Sequence, residues 1–300
     1  MEGEDEQATV NPDEQKAKHR YPVPRRPEEV TVDETTLLAE RIERAALLDL
    51  HRAVSEQNRC QLGMGTLEVN GALLSVADRE PRNILVNRVL GLGLERPARA
   101  EDIETIRARY REAGVEEFFL HLHPQARPAQ LRGWLEDAGL VRTRSWMKFS
   151  RDLSPPPQLQ SELRVEPIGP EHAEDFARIV AFGFDFTDAA LPCLAALVGR
   201  PDWHIYMSFA GDQPAGTGAL LVRDGIGWLD WAATHPDHRR KGGQGALLAR
   251  RIRDAAELGC RMLFTATGEE VPGDPQHSYK NILRVGFQEA YLRENYAPPL

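Results

Sequence analysis

The segment best equipped for chemistry runs Trp231-Ala-Ala-Thr-His-Pro-Asp-His-Arg-Arg-Lys-Gly-Gly-Gln-Gly-Ala246. An apolar run enters a polar turn, and three cations, Arg239, Arg240 and Lys241, precede Gly242, Gly243, Gln244 and Gly245. Glycines let a ligand come close to the backbone. A helix start offers unpaired N–H groups and the positive end of a dipole. Together these groups suit a pyrophosphate. The spacing alone is ambiguous. No Gly-Lys-Ser/Thr ends the turn, which excludes a P-loop, and Leu248 stands where a dinucleotide fingerprint needs its third glycine. A loose turn capped by basic residues is the bland alternative.

Acid–base candidates are fewer. Asp230 shares a face with Ala232 and Thr234 by strand alternation. It is either a base for an ammonium group or a structural partner for an arginine. Glu269 and Glu270 either line an acceptor pocket or are solvated loop charges. His235 and His238 have H-x-x-H spacing but no third ligand, so no metal is expected. Trp228 and Trp231 read as core, and His121 and His123 as structural. The three cysteines, Cys60, Cys193 and Cys260, are far apart and read as buried thiols in a reducing compartment.

The elements that must position these groups follow from periodicity. Gln244 to Leu258 is an amphipathic helix, with Leu247, Leu248, Ile252, Ala255 and Ala256 inward and Arg250, Arg253 and Glu257 outward. Around it lie strands His204–Phe209, Gly216–Val222, Trp228–Thr234, Met262–Ala266 and Phe287–Tyr296, and helices Pro170–Val180, Ala190–Val198 and Ser278–Arg284. The first half reads similarly. A helix over 36–57 precedes a hairpin turned by Asn70-Gly71. Then come strand Ile84–Val89, helix Glu101–Ala113, strand Phe118–Leu122, helix Pro128–Ala138 and strand Val141–Phe149. Each half ends helix, strand, helix, Gly-Leu or Gly-Phe, strand, which suggests two copies of one α+β unit. Ser154-Pro-Pro-Pro157 reads as a linker between them.

The run from His235-Pro236 through Arg-x-x-Gly-x-Gly into an Ala/Leu-rich helix resembles the coenzyme A motif of GNAT acyltransferases. Ser278-Tyr-Lys-Asn-Ile-Leu-Arg-Val-Gly-Phe287 is similar to the family's later helix and its Gly-Phe ending. The gap from His-Pro to Arg240 is one residue longer than the family's commonest form, which leaves open whether Arg239 or Arg240 is the match. The resemblance covers about 140 residues. It implies an α+β fold of two tandem GNAT-like domains, each a mixed, mostly antiparallel sheet flanked by helices. The divisions are a polar tail over 1–30, a degenerate domain over 31–152, a linker over 153–161 and a catalytic domain over 162–300. The tail's composition predicts flexibility.

By the same resemblance, acetyl-CoA is the co-substrate and a primary amine, on a small molecule or peptide, is the acceptor. The backbone of Ala232, Ala233 and Thr234 would pair with the pantetheine arm and polarise the thioester carbonyl. Arg239 through Gly245 would hold the pyrophosphate. Asn281 is a further coenzyme contact or a helix-surface amide. Many family members carry a tyrosine acid where this chain has Ile282, and Tyr279 sits nearly one turn earlier as a displaced candidate. A non-catalytic acyl-CoA-binding regulator or scaffold is the rival reading.

The first half lacks the coenzyme apparatus. Arg88 precedes Gly91 and Gly93 at the right spacing, but it lies in an apolar run without basic neighbours, and Glu95 would repel a phosphate. The formal net charge of -9 argues against a nucleic-acid partner, because phosphate binding needs a basic surplus. No apolar run reaches the ~18 residues of a membrane helix and the acidic start is not a signal peptide, so a soluble, cytoplasmic protein is expected. A homodimer is left open.

Overall fold

The computed structural model describes residues 34–273 and 276–299; the tail expected to be flexible over 1–30 lies outside them. The first element is helix α1, Glu34–Ala53, followed by the short α2, Glu56–Gln61. Strands β1, Met64–Val69, and β2, Ala72–Ala77, form the hairpin, with Val69 opposite Ala72. Asn70 and Gly71 have φ of +49° and +87°, the left-handed pair that a two-residue hairpin requires. Then come β3, Arg88–Leu90, helix α3, Ala100–Glu112, β4, Phe119–Leu122, helix α4, Leu131–Asp137, and β5, Val141–Arg151. The strand expected over 84–89 is shorter than its apolar run. Residues 84–87 form turns in which the N–H groups of Val86 and Asn87 donate to Asn83 O at 3.4 and 3.1 Å and that of Leu85 to Asn83 Oδ1 at 3.0 Å, leaving only three residues to extend.

The second half opens on β6, Arg164–Pro167, which the periodicity did not reveal. Helices α5, Ala173–Gly183, and α6, Leu191–Ala195, precede a meander of β7, Trp203–Ala210, β8, Gln213–Arg223, and β9, Ile226–Thr234. Helix α7, Gly243–Glu257, β10, Met262–Gly268, helix α8, His277–Arg284, and β11, Gln288–Ala297, complete the chain. From the hairpin onward, the first half therefore repeats the strand and helix order of the second.

The eleven strands of the described residues lie in one mixed sheet, ordered β1-β2-β3-β4-β11-β5-β10-β9-β8-β7-β6. Two pairs are parallel, β3 with β4 and β9 with β10; the others are antiparallel. The order shows a reciprocal exchange. The last strand of the first half, β5, lies between β10 and β11, and the last strand of the chain, β11, lies between β4 and β5. Each half thus fills the other's gap, and the antiparallel β5–β11 seam runs from Gln288 opposite Ser150 to Ala297 opposite Val141.

Helices cover both faces. Ile103, Ile106 and Tyr110 of α3 join Leu74, Val89, Leu120 and Leu135 in a first-half core. Leu247, Leu248, Ile252 and Ala255 of α7 pack with Tyr206, Leu220, Leu229 and Leu263 in another. The largest cluster crosses the halves: Ala39, Ile42, Ala46 and Leu50 of α1 pack with Phe176, Val180, Trp228 and Trp231. Polar contacts reinforce that crossing. Asp49 accepts from Arg200 at 2.6 and 2.7 Å and from Trp203 Nε1 at 2.8 Å, and Glu80 accepts from the N–H of Thr187 at 2.9 Å.

One ionic cluster lies inside the sheet at the seam. Glu43 of α1 accepts from Arg88 of β3 at 2.9 Å and from Lys148 of β5 and Arg293 of β11, both at 2.5 Å. Glu40 accepts from Arg293 at 3.1 Å and from the Tyr291 hydroxyl at 2.5 Å. The side chains of Glu43, Lys148 and Arg293 are 0% exposed, so water does not share in their solvation. The guanidinium and ammonium groups around Glu43 outweigh burial and hold its carboxyl well below the usual range. Of the cysteines, Cys193 and Cys260 are buried as expected, whereas Cys60 is exposed on α2, whose residues mostly face solvent.

Candidate active site

Strand β9 is interrupted where it matters. Thr217 pairs with Ala233 and Ala219 with Asp230, so Trp231 and Ala232 together face the single residue Gly218. This is a β-bulge, and Trp231 adopts a φ of +48° to make it. Three groups hold the distortion. The Asp230 carboxylate accepts from the backbone N–H of Trp231 at 2.9 Å and from Trp228 Nε1 at 2.9 Å. Arg251 of α7, fully buried, donates to Ala219 O at 3.0 Å and Asp230 O at 3.2 Å. The hydroxyl of Thr217 donates to Trp231 O at 3.1 Å. Sequence reasoning missed Arg251, since nothing in the run Ala-Arg-Arg-Ile-Arg sets one arginine apart from its neighbours.

On its other side β9 parts from β10. The parallel pairing covers Met262, Leu263 and Phe264 opposite Ile226, Gly227 and Trp228, and stops there. Beyond that point β10 continues on β5, with Thr265 opposite Phe149 and Gly268 opposite Trp146. The opening is therefore edged by the half-buried Asp230, Ala232 and Thr234 on one strand. Burial raises the pKa of Asp230, and Arg88 from the first half opposes the rise.

The turn after β9 passes through a 3-10 turn, Pro236–His238, and leads into α7. Arg239 and Arg240 are exposed, and their guanidinium groups find no partner among the described residues. Lys241 Nζ lies 3.3 Å from His238 Nδ1. Gly242 caps the helix at φ +79°. The first bond of the helix runs from Ala246 N–H to Gly242 O at 3.1 Å, so the N–H groups of Gly243, Gln244 and Gly245 come before any intrahelical partner.

The glycines themselves have a different reason from the one expected. A β-carbon on Gly242 would stand 2.4 Å from Gln160 O, one on Gly243 2.7 Å from Leu163 Cδ1, and one on Gly245 2.9 Å from Leu159 Cδ1. The segment joining the halves thus lies across the helix start, and Gly243 is buried. The space these glycines leave is filled by the chain, while the anion-binding capacity rests on the N–H groups and the two arginines.

The remaining candidates are scattered. The Tyr279 hydroxyl donates to Glu289 at 2.5 Å, and its ring packs edge-on against Phe149. Burial and that carboxylate raise its pKa. Asn281 is half-buried on α8, with Arg284 3.5 Å from its Oδ1. Glu269 is bound to β5, accepting from Ser145 N–H at 2.8 Å, and Glu270 pairs with Lys280 at 3.3 Å. Trp228 and Trp231 are core, and His121 is buried with Nδ1 2.6 Å from Asn295 Oδ1. In the first half Arg88 is spent on Glu43, and the β-carbon that Gly93 lacks would meet Arg127 O at 2.6 Å. No group of three His, Cys, Asp or Glu side chains that could hold a metal occurs among the described residues, and no described helix is long and apolar enough to cross a membrane.

Residues 170–274 match the model of the acetyltransferase (GNAT) family. No curated protein sequence matches the chain. Among solved structures, a GCN5-related N-acetyltransferase from Kribbella flavida is similar at 18% identity and a TM-score of 0.60, over 88% of this chain and 96% of that one. Another from Sphaerobacter thermophilus is similar at 16% identity and a TM-score of 0.55, over 75% and 79% of the two chains. A tandem GNAT protein from the clavulanic acid biosynthesis pathway is similar at 18% identity and a TM-score of 0.50, over 75% and 77%. At such identities the likeness is one of fold. The chain carries a GNAT acetyltransferase family domain over residues 170–274, within a mixed α+β fold shared with GNAT proteins, a tandem one among them.

Proposed function

We propose that the chain is an acetyl-CoA-dependent N-acetyltransferase that passes an acetyl group to a primary amine. The family domain supports acetyl transfer in general. The observation that carries the finer reading is the parting of β9 from β10 at Trp228 and Phe264, beside a bulged strand that runs into a cationic helix start. The residues present suit the coenzyme. Arg239, Arg240 and the N–H groups of Gly243, Gln244 and Gly245 would take the pyrophosphate. Lys241 and Gly242 shape that turn. The backbone of Ala232, Ala233 and Thr234 would line the pantetheine arm, with N–H groups available to polarise the thioester carbonyl. Asn281 on α8 is a further coenzyme contact in this reading.

An ammonium substrate must lose a proton before its nitrogen attacks, and a lysine-like amine has a pKa of about 10.4. Asp230 is the acceptor of that proton. Its raised pKa makes it a stronger base than a solvated aspartate. In the transfer a C–N bond forms as the C–S bond breaks, the coenzyme leaves as its thiolate, and the second proton that the acylated nitrogen sheds neutralises that thiolate. The first half then contributes shape and the shared core rather than a second coenzyme site.

One observation favours a non-catalytic acyl-CoA-binding protein instead: Tyr279 is engaged by Glu289 and is not free to protonate a thiolate. Thiol release from acetyl-CoA with a panel of amines separates the two. Amine-dependent release is expected; tight binding without release from any amine would select the second reading.

A further inference from the structure

The geometry points to Lys148, a residue of the first half, as a positioning residue for Asp230, acting through the indole of Trp228. The inference rests on Asp230 being the proton acceptor proposed above. Lys148 Nζ lies 4.3 Å from the Trp228 ring centroid, over its face. The edge of the same ring donates Nε1–H to Asp230 Oδ2 at 2.9 Å. Trp228 is 3% exposed and Lys148 0% exposed, so neither contact is diluted by water. A cation over an aromatic face draws on the ring's π density. That density loss makes the indole N–H a stronger donor, and a stronger donor favours the ionised carboxylate. The ammonium also fixes the ring plane, and with it the direction in which the carboxylate is held.

The charges around the cluster agree with such a role. Glu43 has Arg88 and Arg293 as guanidinium partners, so a third cation is not needed to satisfy it. The groups facing Lys148 and Asp230 are Glu40 and Glu43 on α1, Arg88 on β3, His123 just after β4, Tyr291 and Arg293 on β11, and Arg251 on α7. Burial keeps His123 neutral near pH 7, with its pKa lowered to about 4. Arg88, Lys148, Arg251 and Arg293 then face only Glu40 and Glu43, and the positive excess is reduced when Asp230 is ionised. Lys148 itself is lowered to about 8 by burial and Arg293, so the surplus cation is also the one that can be withdrawn. A buried ion pair seldom improves stability over an apolar replacement, so stability alone does not account for the lysine.

The test is NMR on the full chain with labelled tryptophan and aspartate, assigned with Trp228→Phe and Asp230→Asn. The Trp228 indole N–H signal is expected to move with a midpoint about 8 in the parent and to lose that step in Lys148→Met. The Asp230 carboxyl midpoint is expected to rise in Lys148→Met and in Trp228→Phe, and to return towards the parent value in Lys148→Arg. The acid limb of kcat/KM should follow, falling roughly tenfold per unit of rise at pH below the limb, with KM for acetyl-CoA unchanged. An Asp230 midpoint indifferent to both Lys148→Met and Trp228→Phe would overturn the proposal. If Lys148→Met does not fold, Trp228→Phe decides it. Failure of the transferase reading shows separately, as absence of turnover in a parent whose Asp230 still responds to Lys148.

Discussion

Gly218 stands so close to Arg251 that a β-carbon there would lie 2.7 Å from Cζ of the guanidinium. The glycine on β8 is therefore the complement of the bulge on β9: it admits the buried arginine that holds Ala219 O and Asp230 O. Gly218→Ala should displace Arg251, costing about 1–3 kcal/mol. Denaturant unfolding measures it, and a midpoint equal to the parent's would remove Arg251 as the support of the bulge.

Arg240→Ala and Gly243→Val should behave oppositely. The arginine is exposed and unpaired, so its loss should leave stability unchanged and weaken acetyl-CoA binding by roughly 1.5–3 kcal/mol, on the order of tenfold to a hundredfold. A valine at 243 would collide with Leu163 and should lower the melting temperature before any effect on binding is read. Calorimetric titration with thermal melts of both variants gives the answer. A stable, fully folded Gly243→Val would contradict the packing described here.

Stability should fall as pH drops from about 6.5 to about 4. His51 and His123 are buried, with pKa values lowered from 6.5 to about 4. A group whose folded pKa is depressed gives stability that is fully present above its unfolded pKa and is lost as pH falls through the folded one. The ceiling is on the order of 3 kcal/mol for each histidine. Urea unfolding at several pH values in this window should show the decline, and a His51→Gln/His123→Gln double variant should flatten it.

The two halves should not fold when expressed apart. Residues 1–152 alone would leave β4 and β5 without the strand between them, and 153–300 alone would leave β10 and β11 in the same state. Dispersed amide spectra from either half alone would refute this; recovery of the native spectrum on mixing is the expected outcome.

Much of the local structure was legible. Asn70-Gly71 announces its turn, and the Leu and Ile spacing of α7 announces its buried face. The Gly-Leu and Gly-Phe endings announce the repeat. The motif marks the cationic turn and the strand before it, but the bulge at Trp231 and Ala232 interrupts the alternation from which the face of Asp230 was read. Longer-range facts were not legible. Strand exchange depends on which partner fills a gap, and β5 and β11 carry no mark of it. The burial of Glu43 and Lys148 was not legible because nothing local tells that three strands bring cations to one carboxylate. The packing of Gly242, Gly243 and Gly245 against Gln160, Leu163 and Leu159 was not legible, because a glycine that admits a ligand and one that admits a neighbouring loop look alike in sequence.

The seam has a consequence for synthesis on the ribosome. Strand β5 ends at Arg151, but the strand that separates it from β4 ends at Ala297, 146 residues later. At ~5–20 residues per second, the nascent first half waits on the order of 10–30 s with β4 and β5 unjoined. Through that interval it offers open strand edges to every other chain nearby. Its survival then depends on the rate of elongation and on holding chaperones rather than on the stability of the finished fold.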